Sequence, residues 1–324
     1  MFDGKSADEA GLGRLLGQSA PMVALRRRLA RIARSEATVL VTGESGTGKE
    51  LCAEAIHAAS SRAGAPFIAL NCGAIPAELI EAELFGARRG AYTGAVADRP
   101  GAVRAADRGT LFLDEICETP LALQTRLLRF LESGEAQALG ETAPRVVDVR
   151  VIAATNRDPA AEVAAGRLRE DLYFRLHVLP VEAPPLRDRG EDVIEIAAAM
   201  LARVAGEEGR AAPELTAAAR AALLAHRWPG NVRELRNAIR RAVVLGDERR
   251  VEPDDLGLAP APGAPSADRL EAAANALTAL PFAEIERLVI DAAIRRFGSA
   301  PKAARALGLS PSTLYRKQEV WAAE

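Results

Sequence analysis

Residues 43–50 read GESGTGKE: three glycines, two hydroxyl residues, two carboxylates and a lysine. Gly43, Gly46 and Gly48 let successive backbone N–H groups curl around phosphate oxygens, and a helix that starts just after them favours negative charge. Lys49 has the reach for the β and γ phosphates of a nucleotide. Glu44, Ser45, Thr47 and Glu50 complete the cradle, and Glu50 stands where a hydroxyl residue usually touches magnesium. A metal must then be held by other groups. GTLFLDEI, residues 109–116, offers them: an apolar strand that ends in Asp114 and Glu115. Asp114 is suited to holding Mg²⁺ through water and Glu115 to polarising an attacking water. Adjacent carboxylates are common as solvated surface charge, but after an apolar strand and downstream of a phosphate loop the catalytic reading prevails. VIAATN ends in Thr155 and Asn156 and FIALN ends in Asn71. At strand ends these are either plain terminators or polar groups that orient water and sense the γ-phosphate, and their position favours the second.

Five apolar runs must carry these groups: residues 37–41 (ATVLV), 66–70 (PFIAL), 110–113 (TLFL), 149–153 (VRVIA) and 177–181 (HVLPV). Alternating with helical patterns, they predict an α/β fold with a largely parallel five-stranded sheet over residues 15–190. Residues 191–257 predict a helical lid without strands. In it Val232, Leu235, Ile239, Ala242 and Val243 recur at helical spacing, and Asn231 with Glu234 predicts an N-cap and capping box. Residues 1–14 form a tail, and 258–280, including APAPGAPS, a linker. Residues 281–324 form a small all-α unit.

The chain has 324 residues, 49% of them hydrophobic, enough for a substantial core. Charges at the N-terminus exclude a signal peptide, and no apolar run is long enough to span a membrane, so a cytoplasmic setting is expected. Cys52, Cys72 and Cys117 are scattered, which predicts buried thiols, not a zinc cluster or disulfide framework. A net charge of −2 gives no global attraction to nucleic acid. Between Arg295 and Lys317, however, there are six basic residues and no acidic one. There Ala304 and Gly308 suit the contact and turn of a helix-turn-helix, and Ser310 with Pro311 opens a second helix. Lys302, Arg305, Ser312, Thr313, Tyr315, Arg316 and Lys317 are the expected DNA contacts. Leu307, Leu309 and Leu314 pack the unit, with Ile285, Leu288, Val289, Ala292 and Phe297 as the inner face of the preceding helix. A small helical oligomerisation bundle is the alternative.

From LGQS at residue 16 to about residue 256, these motifs together resemble one family, the AAA+ ATPases that activate transcription by sigma-54 RNA polymerase, also called bacterial enhancer-binding proteins. The C-terminal unit resembles their Fis-type helix-turn-helix. The resemblance implies that Glu50 is normal in this phosphate loop, that Asp114 and Glu115 are the Walker B pair, that Asn71 is a switch restraining the catalytic Glu115, and that Thr155 and Asn156 are the first sensor. It implies that Arg169 and Arg175, in LREDLYFRL, enter a neighbouring subunit's nucleotide site, and that Arg233, in WPGNVREL, is the second sensor. The residues alone would read those arginines as surface ion pairs, Arg169 and Arg175 with Glu170 or Asp171. GAYTGA (Gly90, Ala91, Tyr92, Thr93, Gly94, Ala95) resembles the GAFTGA loop that engages sigma-54, with Tyr92 where phenylalanine is usual. The implied cofactors are ATP and Mg²⁺. The implied partners are the sigma-54 holoenzyme, upstream activating DNA and further copies of the chain in a hexameric ring. Only about fifteen residues precede the ATPase, so the family's sensory domain is expected to be absent and control to come from a separate inhibitory protein, another partner or expression level. Two rivals are a DNA-binding regulator whose ATPase only controls oligomerisation, which an intact GAYTGA argues against, and a protein unfoldase, which the basic C-terminal unit argues against.

Overall fold

The computed structural model describes residues 15–91, 97–246, 249–258, 277–278 and 280–322. They belong to two compact units, one ending at Ala261 and one beginning at Pro262.

In the first unit, β1 (Val39–Thr42), β2 (Phe67–Asn71), β3 (Thr110–Asp114), β4 (Arg150–Thr155) and β5 (Leu179–Glu182) form one sheet in the order 2-3-4-1-5, every pair parallel. All five expected strands are present, and each ends one or two residues beyond its apolar run. The ladder is made by backbone groups and continues through the polar last residue, Thr42, Asn71, Asp114, Thr155 or Glu182, whatever its side chain. The inner strands β3 and β4 are covered on both faces, as parallel strands usually are. Successive side chains point to opposite faces. Leu111, Leu113 and Ala153 meet Phe85, Leu127 and Leu172 on one side. Phe112, Ile152 and Ala154 meet the helices α1 (Ala20–Ala33) and α2 (Lys49–Ala58) through Leu25, Leu29 and Ile56 on the other. Arg150, at the start of β4, is buried and donates to the carbonyls of Ile32 and Ala33, where the negative end of α1 favours a cation.

The three thiols are buried and free. Burial pushes Cys52 up to about 11 and Cys72 up to about 12, and raises Cys117 as well. A disulfide reagent at about pH 8 is therefore expected to label none of them until the chain is unfolded, because only an accessible thiolate reacts. Rapid labelling of the folded chain would contradict this arrangement.

The lid is built from α5 (Asp192–Glu207), α6 (Ala217–Ala225) and α7 (Asn231–Leu245), numbered after α3 (Leu121–Ser133) and α4 (Glu170–Leu176) of the sheet domain. Its core gathers Trp228, Leu235, Ile239, Leu201 and Leu223. Two features differ from the sequence expectation. Glu214–Leu215 and Arg250–Val251 pair as a short parallel ladder, so the lid is not purely helical. Asn231 is not an N-cap. That position belongs to Gly230, and Asn231 is turned inward with φ 50 and no exposure. Half of the expected capping box survives, since Glu234 accepts from the Gly230 N–H at 2.8 Å.

The second unit consists of α8 (Phe282–Phe297), α9 (Ala300–Ala306) and α10 (Pro311–Ala322). Gly308, with φ 69, makes the turn between α9 and α10, and Leu309 N–H returns to the Ala304 carbonyl. Ser310 caps α10 by accepting from Thr313 N–H, as expected. The inner face of α8 is a correction. Ile290 and Ala293, with Ile294 beside them, pack on Ala303, Ala304 and Leu314, while Leu288 and Val289 are exposed. The helix is apolar on two sides, and periodicity fixes the repeat of a stripe but not which stripe the neighbouring helices cover. The side chain of Phe297 lies outside the described residues.

Candidate functional site

Parallel pairing brings the polar strand ends level along one edge of the sheet, Asn71 beside Asp114 and Thr42 beside Thr155. This is the edge at which open α/β sheets hold ligands. From β1 the chain turns through Gly43, Gly46 and Gly48, with φ of 150, 79 and 96. A Cβ on Gly46 would lie 2.4 Å from the Gly230 carbonyl oxygen, so both backbone conformation and the approach of the lid require glycine there. The first turn of α2 has no side-chain cap, which leaves the N-terminal end of that helix to an anion.

Lys49 is 7% exposed. Its Nζ donates to the carbonyls of Gly43 at 3.0 Å and Glu44 at 3.3 Å, and lies 4.0 Å from Glu115 Oε1. Burial lowers its pKa, against the opposing pull of Glu115 and Asp114. A buried ammonium at a glycine turn and a bare helix start is a donor set that fits a polyphosphate. Glu115 occupies the left-handed backbone region, φ 53, uncommon for a residue with a side chain and frequent where function requires it. This places its Oε2 3.2 Å from the Asn156 N–H while Oε1 faces Lys49.

The other expected residues divide. Asn71 reaches Asp114 Oδ2 at 3.4 Å, not Glu115, and its own oxygen accepts from the Gly73 and Ala74 N–H groups. The register explains the difference, because it aligns residue 71 with 114, not 115. Thr155 is fully buried and its hydroxyl accepts from Arg157 N–H, so at this strand end it is the backbone of Asn156 that meets Glu115 and not the Thr155 side chain. Thr47 is also buried, with its hydroxyl on the Glu44 carbonyl, and Glu50 is exposed. Arg233 Nη1 donates to Ser45 Oγ at 2.6 Å, which brings the lid to the cradle; among the described residues no carboxylate pairs with it. Arg169 forks onto Asp171, the surface pair that its residue neighbours suggested. Arg175 donates through Nε and Nη2 to the Leu131 carbonyl. Neither bonds the cradle of its own chain.

Three residues at the cradle escaped the sequence reading. Arg187 forks onto Glu44 at 2.8 and 2.6 Å and, with Asn231, holds that carboxyl at about 2. Arg189 is almost buried and donates to the carbonyls of Pro184 and Thr47. The signal was LRDR, two arginines directly after the last strand, where the chain passes from sheet to lid. Asn231 is the third.

Of GAYTGA, Tyr92, Thr93, Gly94 and Ala95 lie outside the described residues, and Gly90 has φ 81. The residues on either side of that segment are tied to each other and to the rest of the sheet domain. Gly86–Ala87 pairs with Arg99–Pro100, and Arg88 donates to Asp98 Oδ2 at 2.6 Å and to Glu141 Oε1 at 3.1 Å. Arg89 N–H bonds Asp98 Oδ1, and Arg88 N–H bonds the Leu139 carbonyl.

Residues 15–182 match the Sigma-54 interaction domain, 187–273 the AAA+ ATPase lid domain, and 281–318 the bacterial regulatory proteins of the Fis family. The chain belongs to the sigma-54-dependent transcriptional activators. It is similar to the regulatory protein LuxO of Vibrio cholerae, 48% identical over 321 residues that cover 94% of this chain and 69% of LuxO. To the response regulator PilR of Pseudomonas aeruginosa it is 49% identical over 259 residues, covering 80% of this chain and 58% of PilR. NtrX from Brucella abortus, solved in complex with ATP, superposes with a TM-score of 0.70 at 35% identity, covering 95% of this chain and 69% of that one. The sheet, lid and glycine cradle of this activator are thus those of an AAA+ P-loop NTPase. Among the described residues no helix is long and apolar enough to cross a membrane.

In the Fis-type unit of the activator, Lys302, Arg305, Tyr315 and Arg316 are exposed. Thr313 shares a hydrogen bond with the Ser310 hydroxyl, and Lys317 is paired with Glu286 at 2.6 Å, so the basic patch is partly compensated by its own domain. The side chain of Ser312 lies outside the described residues.

Proposed function

We propose that this activator hydrolyses ATP between adjoining copies of a hexameric ring and uses the turnover to drive Tyr92 and Thr93 against a sigma-54 polymerase complex. The observation that carries this reading is the meeting of Lys49, Asp114, Glu115 and Arg233 around one glycine cradle, while Arg175 is held outside it. Lys49 offsets charge on the outer phosphates. Glu115, steadied by the Asn156 N–H, takes up the proton of the attacking water. Asn71 orients Asp114, which would hold Mg²⁺ through water; when bound, that ion neutralises phosphate charge. Arg169 and Arg175 complete the site of the next copy. Lys302, Arg305, Tyr315 and Arg316, with Ser312, Thr313 and Lys317, bring the ring to upstream DNA, where the exposed cations meet phosphate and α10 faces the major groove.

The test is the dependence of turnover on assembly. ATPase rate per subunit is expected to rise steeply with protein concentration and level off once assembly is complete. A rate per subunit that is flat from dilute to concentrated protein would show each copy to be self-sufficient and overturn the proposal.

A further inference from the structure

We propose that Asn231 is a positioning residue for the nucleotide site, the joint that fixes the lid to the phosphate cradle and thereby sets Arg233. The inference rests on the reading of that site as an ATP site and adds to it a residue whose sequence signal was that of a helix cap.

Asn231 belongs to α7 by sequence, but its side chain serves neither the helix end nor the lid core. Its Oδ1 accepts from Leu186 N–H at 2.8 Å, in the strap between sheet and lid. Its Nδ2 donates to Glu44 Oε2 and to the Ser45 carbonyl, both at 3.1 Å. One buried amide therefore joins strap, lid and cradle. The backbone is turned to suit, since φ is 50, a region that asparagine tolerates better than other residues with a side chain. The residues on either side repeat the attachment: Gly230 touches Gly46, and Val232 N–H bonds the Gly46 carbonyl at 3.0 Å. Arg233 follows within the same turn and places its guanidinium on Ser45. Glu44, held by Arg187 as well, gives the Asn231 amide a charged partner, and hydrogen bonds to charged groups are the stronger kind.

An amide with this geometry acts on nucleotide only through what it positions. Asn231→Gly keeps the left-handed backbone and removes the three side-chain bonds. It is expected to raise KM for ATP about ten-fold, the effect of losing a buried, partly charged hydrogen-bond set, with a smaller change in kcat. In an Arg233→Ala background the same substitution is expected to change KM by less than about two-fold, because the group it positions is gone. A fold role alone would produce the same effect in both backgrounds. Thermal unfolding checks that each variant is folded. If Asn231→Gly is not, Glu44→Ala takes its place, since it removes the charged partner without touching the backbone of residue 231. Wild-type KM in the folded variant, or an equal rise with and without Arg233, overturns the inference. Lys49→Ala separates it from the underlying reading: if that variant still hydrolyses ATP at the wild-type rate, the site itself has been misassigned, whereas an inactive Lys49→Ala beside an unaffected Asn231→Gly refutes the positioning role alone.

Discussion

Arg175→Ala is expected to lower the ATPase rate of the assembled protein by about a thousand- to a hundred-thousand-fold, the range over which an arginine supplied to a transferring phosphoryl group acts. The structure makes this a test of trans action. Arg175 is exposed and, among the described residues, its guanidinium bonds the carbonyl of Leu131 near the end of α3, an exposed contact, so its removal is expected to leave the fold intact. Its own cradle is served by Lys49 and Arg233. Mixing gives the sharper measurement. A Lys49→Ala copy lacks a working cradle but keeps its arginine, and an Arg175→Ala copy has the reverse defect. Activity that returns when two inactive proteins are combined requires the arginine of one to serve the cradle of the other. No recovery in mixtures shown to co-assemble, or an Arg175→Ala protein of undiminished rate, rules that out.

Thr93→Ala is expected to separate fuel consumption from work. Arg88 and Asp98, which precede and follow GAYTGA in the chain, bond each other, Arg88 bonds Glu141 as well, and neither is among the groups that bond Lys49 or Glu115. ATP turnover should therefore persist at the wild-type rate, while formation of open complexes on a sigma-54 promoter, followed by reactivity of unpaired thymines, is lost. In the proposed function the contact falls to the Thr93 hydroxyl and the neighbouring Tyr92 ring, since the small residues around them offer little else. Open complexes formed by Thr93→Ala at the normal level would remove the loop from the mechanism.

The sheet was legible because five apolar runs each ended in a polar residue, and the cradle because glycine spacing admits few other uses. Less legible was everything decided by approach between distant segments. Glu44 and Arg187 are 143 residues apart in the chain, and nothing local to either announces the other. Asn231 and Glu234 have the spacing of a capping box, and the lid's contact with Gly46 turned the asparagine to a different task. Asn71 was placed correctly at its strand end, but its partner depended on a register that one residue of slip would change. In α8, two apolar stripes competed for one core, and only the docking of α9 and α10 chose between them.

The feet of the GAYTGA segment have a mechanical consequence. Arg88 and Asp98 are clasped to each other, and Arg88 is clasped again to Glu141, which Arg104 also holds. Residues 88 and 98 are thus joined as a single bracket tied to the turn at Leu139. If the proposed function holds, a displacement passed to GAYTGA from the sheet edge would be carried by this bracket, and cutting the Arg88–Asp98 clasp would let the two ends respond separately.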